Sequence, residues 1–171
     1  MGGDQLVPAL AGKDIDRRLG DHIREAQGDR YMELIDEVSV TDSARRLLTE
    51  LKVRGHPIVL ASSARPEEVD RYLDLLDARG IVDAWTTSGD VEATKPAPDL
   101  VESALDKVGV DSGVLIGDSP FDCESAARAG VPTTAVLTGG FSKEELHDAG
   151  AVSVFESLGE LLTNLDATPL A

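Results

Sequence analysis

Gly117-Asp118-Ser119-Pro120-Phe121-Asp122 follows a short apolar run, Gly113-Val114-Leu115-Ile116, and precedes a helical pattern from Cys123 to Ala129 that Gly130 closes. An apolar run of that length bounded by glycines reads as a buried parallel strand. The stretch therefore sets two carboxylates, Asp118 and Asp122, just past a strand's C-terminal end. In open α/β sheets that edge is where ligands bind. Oxygen ligands there suit Mg²⁺, which takes one or two carboxylates and completes its shell with waters and phosphate oxygens. The same residues also make a good helix start, because an acid or serine caps and proline favours the first turn. Taken alone, the stretch leaves both readings open.

Two further stretches bear on the choice. Ile58-Val59-Leu60-Ala61-Ser62-Ser63 is a strand pattern ending in hydroxyls, and Thr94-Lys95-Pro96-Ala97-Pro98-Asp99 lodges a lysine in a rigid turn before a helix. Strands are expected near 58–61, 84–87, 113–116 and 132–136, with a short one at 152–155. Helical patterns lie between them, which implies right-handed crossovers and a parallel sheet. In such a sheet a hydroxyl, an ammonium and a carboxylate pair converge on one edge. Hydroxyl and ammonium are what a phosphoryl group needs, and the acids are what its metal needs.

The order Ser62, Lys95, Asp118 and Asp122, set in Leu-Ala-Ser-Ser, Lys-Pro-Ala-Pro-Asp and Gly-Asp-Ser-x-x-Asp, resembles motifs two, three and four of the haloacid dehalogenase superfamily. The resemblance is to its phosphoglycolate phosphatase and β-phosphoglucomutase-like branch, and it covers nearly the whole chain. It implies an α/β fold, a three-layer Rossmann-like core with a parallel sheet, plus the remnant of a helical cap at the N-terminus. The domains expected are a partial helical cap at 1–40, a core missing its first strand at 41–166, and a frayed tail at 167–171.

One departure is large. The family's first motif, Asp-x-Asp-x-Thr after an N-terminal strand, carries the nucleophile. Asp14-Ile15-Asp16-Arg17 has the aspartate spacing, but no apolar strand precedes it and Arg18 stands at the threonine position. It reads as helix surface, and the protein is expected to start upstream of Met1. In this family the first strand lies between those ending at Ser62 and Asp118. Without it, two inner edges lose their partner, at about 1–3 kcal/mol for each unpaired buried group. Either the sheet closes directly or the polypeptide is longer.

Composition narrows the partners. With 42% apolar residues the 171-residue chain can build a core, and its one cysteine, Cys123, excludes an internal disulfide. A net charge of −16, from 32 acids and 16 bases, argues against nucleic acid and anionic membrane, both of which need clustered Lys and Arg. No run approaches a membrane span. His22, His56 and His147 have no partner at metal-binding spacing and read as structural. A cytoplasmic protein, monomeric or weakly dimeric, is expected, acting on a small phosphorylated metabolite.

The resemblance implies an aspartyl-phosphate mechanism with Mg²⁺ as cofactor. Asp118 and Asp122 would be the metal residues, Asp122 also orienting Lys95. Ser62 would donate to a phosphoryl oxygen, Lys95 would neutralise it, and the N–H groups of Ser63 and Ala64 would add donors. Ser62, Lys95, Asp118 and Asp122 are thus the catalytic candidates, with little turnover expected from the chain as written. The alternative is a non-catalytic relative that binds Mg²⁺ and phosphate or a partner protein. A phosphoacceptor signalling domain uses similar groups, but its acids precede the hydroxyl and the lysine.

Overall fold

The computed structural model describes residues 3–91 and 93–171. Five strands alternate with helices: β1 (Val59–Leu60), β2 (Ala84–Trp85), β3 (Leu115–Gly117), β4 (Thr133–Val136) and β5 (Ala151–Phe155). Every pairing is parallel, as the alternation predicts. The strands do not form one sheet, however. β1 pairs with β2, and β3, β4 and β5 form a second sheet in that order. Between β1 and β3 lies a cavity of about 940 Å³, walled by Val59, Leu60, Leu115 and Ile116 and roofed by helix residues such as Leu47 and Leu105. The two inner edges therefore neither close on each other nor find another strand among the described residues.

Helices α3 (Ala44–Val53), α4 (Pro66–Leu75), α5 (Asp99–Val108), α6 (Pro120–Arg128), α7 (Lys143–Asp148) and α8 (Leu158–Thr163) cover the strands. The main core joins Leu47 and Leu51 of α3, Val69 and Leu73 of α4, and Leu161 of α8. A second cluster puts Val101 of α5 against Ala126 of α6 and Val131. Cys123 is buried under α6. Pro66 opens α4 with Glu67 and Glu68 in its first turn, where carboxylates oppose the helix dipole favourably. Ser142 and Glu145 form a capping box at the start of α7.

Helix α3 is preceded by Ser43, at φ 67°. Helix α4 ends at Leu75, and Asp77 follows at φ 47°. The tail is not frayed: Leu165 and Leu170 are buried, and His56 Nε2 lies 3.2 Å from the Leu170 carbonyl oxygen. Apolar residues at chain ends fray only when nothing receives them, and here the main core does.

The N-terminal region is one short helix, α1 (Gly3–Ala11), and one long helix, α2 (Lys13–Leu34). Asp14 pairs with Arg17 and Asp16 with Arg24, so both belong to the helix surface. Leu10, Leu19, Ile23 and Leu34 are exposed. Helix α2 is seated chiefly by polar contacts. Arg65 donates to the Glu25 carbonyl oxygen at 3.0 Å and to Asp29 at 3.3 Å. Its guanidinium lies against Gly28, where an added Cβ would come within 1.3 Å of it. The hydroxyl of Tyr72 on α4 donates to that of Tyr31 at 2.8 Å, and burial, with this bond, pushes the Tyr72 phenol well above its ordinary value.

Leu73 is fully buried, whereas Val53 is 77% exposed. Leu73→Ala is expected to lower unfolding free energy by about 2–5 kcal/mol, and Val53→Ala to change it by less than about 0.5 kcal/mol. Urea denaturation of both variants checks this; equal effects would mean that the core is not centred on α4.

Candidate functional site

Ser119 is the N-cap of α6, and its hydroxyl accepts from the Asp122 N–H at 3.3 Å. Asp122 reciprocates: its Oδ2 accepts from Ser119 Oγ at 2.7 Å, from the Ser119 N–H at 3.1 Å and from the Asp118 N–H at 3.2 Å. The helix-cap reading of this stretch is therefore correct. It does not exhaust the carboxylate, because Oδ1 accepts from Lys95 Nζ at 2.6 Å across 27 residues of chain. Cap and site share one side chain.

The pair is largely withdrawn from water, with side-chain exposures of 23% for Lys95 and 8% for Asp122. Burial pushes the Asp122 carboxyl up. The Lys95 ammonium outweighs this, with help from Ser119 and the Asp118 N–H, and holds it below the usual carboxylate range. Two glycines permit the crowding. A Cβ on Gly117 would lie 2.5 Å from Asp122 Cβ, and one on Gly139 would lie 2.1 Å from the Asp118 carbonyl oxygen. The Asp118 carboxylate itself accepts from Thr138 Oγ1 at 3.1 Å. Phe121 and Phe141 meet edge to face, centroids 6.4 Å apart, which ties the acidic loop to the loop after β4.

Ser62 stands at the end of β1 and borders the same cavity as Lys95. Its N–H donates to Thr86 Oγ1 at 2.9 Å, and Thr86 Oγ1 donates back to the Ser62 carbonyl oxygen at 2.8 Å. Its own Oγ accepts from the Ala64 N–H at 3.1 Å. That bond occupies the Ala64 donor, so of the two expected backbone donors the Ser63 N–H is the more available. Asp90 sits elsewhere, in a capping box with Thr87 and an ion pair with Lys107 at 2.8 Å. Among the described residues no three His, Cys, Asp or Glu side chains gather as a metal cage. Both Asp122 oxygens are engaged by protein donors, which leaves Asp118 with the freer carboxylate.

A family model described as haloacid dehalogenase-like hydrolase matches residues 10–136. The chain belongs to the haloacid dehalogenase-like hydrolases. It is 35% identical to a phosphoglycolate phosphatase of Rhodospirillum rubrum over 128 residues, which is 72% of this chain and 52% of that protein. It is 32% identical to protein CbbY of Cupriavidus necator, over 67% of this chain and 46% of that protein. The chain thus spans about half the length of the curated relatives it matches. A hydrolase from Pseudomonas syringae superposes with TM-score 0.89 at 28% identity, covering 98% of this chain and 78% of that one. CbbY from Rhodobacter sphaeroides, solved with xylulose-(1,5)bisphosphate, gives TM-score 0.72 at 25% identity, covering 83% of this chain and 65% of that one.

Within this haloacid dehalogenase-like frame, sequence reading missed Thr86 and Thr138. Thr86 is fully buried inside a strand pattern, and a polar residue in that position is itself a signal of a side-chain-to-backbone tie. Thr138 was visible only as part of a turn, since nothing local links it to Asp118 twenty residues earlier. Among the described residues no helix is long and apolar enough to cross a membrane.

The lowered Asp122 carboxyl fixes a sign. Its contribution to stability is complete above about pH 4 and declines as pH falls through its lowered value. Acid should therefore weaken the protein more steeply than Asp122→Asn below about pH 4, read by urea midpoints across pH. Lys95→Met, which strands the buried carboxylate, should cost about 3 kcal/mol at neutral pH. Parallel acid limbs for the two proteins would refute the assignment.

Proposed function

We propose that the chain forms the phosphate- and metal-binding part of a haloacid dehalogenase-type phosphohydrolase acting on a small phosphomonoester. The observation that carries this is the Lys95–Asp122 pair, locked by the α6 cap beside Asp118 and sharing a cavity with Ser62. A phosphatase among the relatives and a structural neighbour solved with a bisphosphate sugar support the substrate class. In this reading residues 1–40 are a partial helical cap, 41–166 the core and 167–171 its closing tail. The same reading makes the protein cytoplasmic, a monomer or weak dimer, with a phosphorylated metabolite and not nucleic acid as its partner.

The residues divide the work as follows. Ser62 Oγ, accepting from Ala64, has its proton free to donate to a phosphoryl oxygen. Lys95 supplies a compact positive charge, and Asp122 keeps that ammonium in one place. Asp118, with one protein donor on its carboxylate, is the residue suited to hold Mg²⁺. Mg²⁺ fits such a sparse site because it usually retains waters and takes phosphate oxygens, and when bound it shields negative charge on the phosphoryl group. Asp122 acts on it at most through Lys95 or through water.

Hydrolysis by this family's route also needs an attacking carboxylate. Among the described residues the acids assembled with Lys95 are Asp122, saturated by donors, and Asp118, assigned to the metal. The purified 171-residue chain is therefore expected to bind phosphate in the presence of Mg²⁺ but to hydrolyse p-nitrophenyl phosphate no faster than background. Binding and electrostatics alone leave about 10³–10⁴-fold over water, invisible against so slow a reaction. Calorimetry with inorganic phosphate should find about tenfold weaker binding in Ser62→Ala and loss of the Mg²⁺ dependence in Asp118→Asn. Absence of phosphate binding sinks the site. Robust Mg²⁺-dependent turnover abolished by Asp118→Asn would show that Asp118 is the nucleophile instead.

A further inference from the structure

Thr138 stands apart from the core. It is exposed and joins none of the apolar clusters. Among the described residues its hydroxyl makes one bond, to Asp118 Oδ2 at 3.1 Å. Packing does not account for a threonine at this position, whereas the bond to Asp118 does.

The loop that carries Thr138 is fixed at both ends. It leaves β4, whose residues Thr133–Val136 are all buried and which pairs with β3 on one side and β5 on the other. At its far end Gly140 turns at φ 80°, and Phe141 then meets Phe121 edge to face. Between these points Gly139 lies against Asp118, where an added Cβ would come 2.1 Å from the Asp118 carbonyl oxygen and 2.9 Å from its Cγ. The Thr138 hydroxyl is thus carried by backbone already pressed against the residue it serves. Asp118 is held in turn by its N–H, which donates to Asp122 Oδ2 at 3.2 Å.

The result is an asymmetric carboxylate. Oδ2 accepts the Thr138 proton, and no described residue donates to Oδ1. A donated proton draws on the charge of the oxygen that receives it, so Oδ2 is the poorer ligand for a cation. The same bond resists rotation of the carboxylate. One oxygen is left to meet a metal. Mg²⁺ accepts this, because it keeps an octahedral shell at about 2.0–2.1 Å, takes few carboxylate oxygens and retains waters. Ca²⁺ gathers about six to eight oxygens at about 2.3–2.6 Å and readily clasps a carboxylate with both. At Asp118 that clasp would compete with the Thr138 proton for Oδ2.

We propose that Thr138 is a positioning residue for the metal carboxylate. Its hydroxyl fixes Asp118 with a single oxygen offered, and so biases the site toward a small octahedral cation over a larger one. The inference rests on the assignment of Asp118 to the metal and adds what selects the ion there.

The test titrates the full 171-residue protein with MgCl₂ and, separately, CaCl₂ at constant ionic strength. The NMR shifts of the Asp118, Thr138 and Gly139 amides give a dissociation constant for each ion. The native protein should bind Mg²⁺ more tightly than Ca²⁺. Thr138→Val keeps the shape and removes the hydroxyl, and should narrow that preference by about threefold or more. Thr138→Ser keeps the hydroxyl and should keep the preference. An unchanged preference in the valine variant overturns the proposal. So does an equal weakening of both ions, which is what a general loosening of the loop would produce, and so does a native protein without preference. Asp118→Asn separates this inference from its foundation: it should abolish the response to both ions. Native-like Mg²⁺ binding by that variant would take the metal away from Asp118 and overturn both readings.

Discussion

The carboxylate of Asp122 is the point on which the arrangement turns. One oxygen holds Lys95, and the other holds the cap of α6 and the backbone of Asp118. A helix start, a strand end and a distant loop are thereby tied through a single group. Desolvating that group is unfavourable, and it is tolerated because four donors converge on it. Gly117 and Gly139 follow as requirements, since a Cβ at either would occupy the space the acids need.

That tie matters more because the sheet is divided. Ser62 belongs to the half containing β1 and β2, and Asp118 to the half containing β3, β4 and β5. No ladder of hydrogen bonds joins these halves among the described residues. Helix α5, packed on β1 and β2 and reaching Ala126 on α6, together with the core around Leu47 and Val136, spans the division. The Lys95–Asp122 bond lies at the end that Ser62 also borders. The site is therefore only as well ordered as the packing across a slot that backbone pairing does not close.

Much of this was legible in the sequence. The glycine-bounded apolar run before Asp118 marked β3, and β1, β2 and β4 were expected from strand-like stretches that alternate with helical patterns. Ser62, Lys95 and Asp122 could be brought to one edge from strand order alone. Other features depended on partners far along the chain. Ser43 and Asp77 adopt left-handed backbone that only the tertiary setting selects. Helix α2 runs on through Gly20 and Gly28, which are buried where arginine side chains cover them. Thr86 and Thr138 are defined by what they bond to, which no local pattern records. Whether the sheet would close across the gap was left open by sequence, because the answer depends on how far α3 and α5 hold the halves apart.

The seat of α2 on Arg65 has a consequence of its own. Two of its elements, the Glu25 carbonyl oxygen and the bare face of Gly28, are main chain. Attachment that reads backbone is indifferent to the identity of neighbouring side chains. Much of the rest of α2 is thus free to vary in sequence without losing its berth, provided Gly28 with Arg65 and Tyr31 with Tyr72 persist together. Divergence along this helix should leave those two pairs as its fixed pivots, covarying couples set in an otherwise drifting surface.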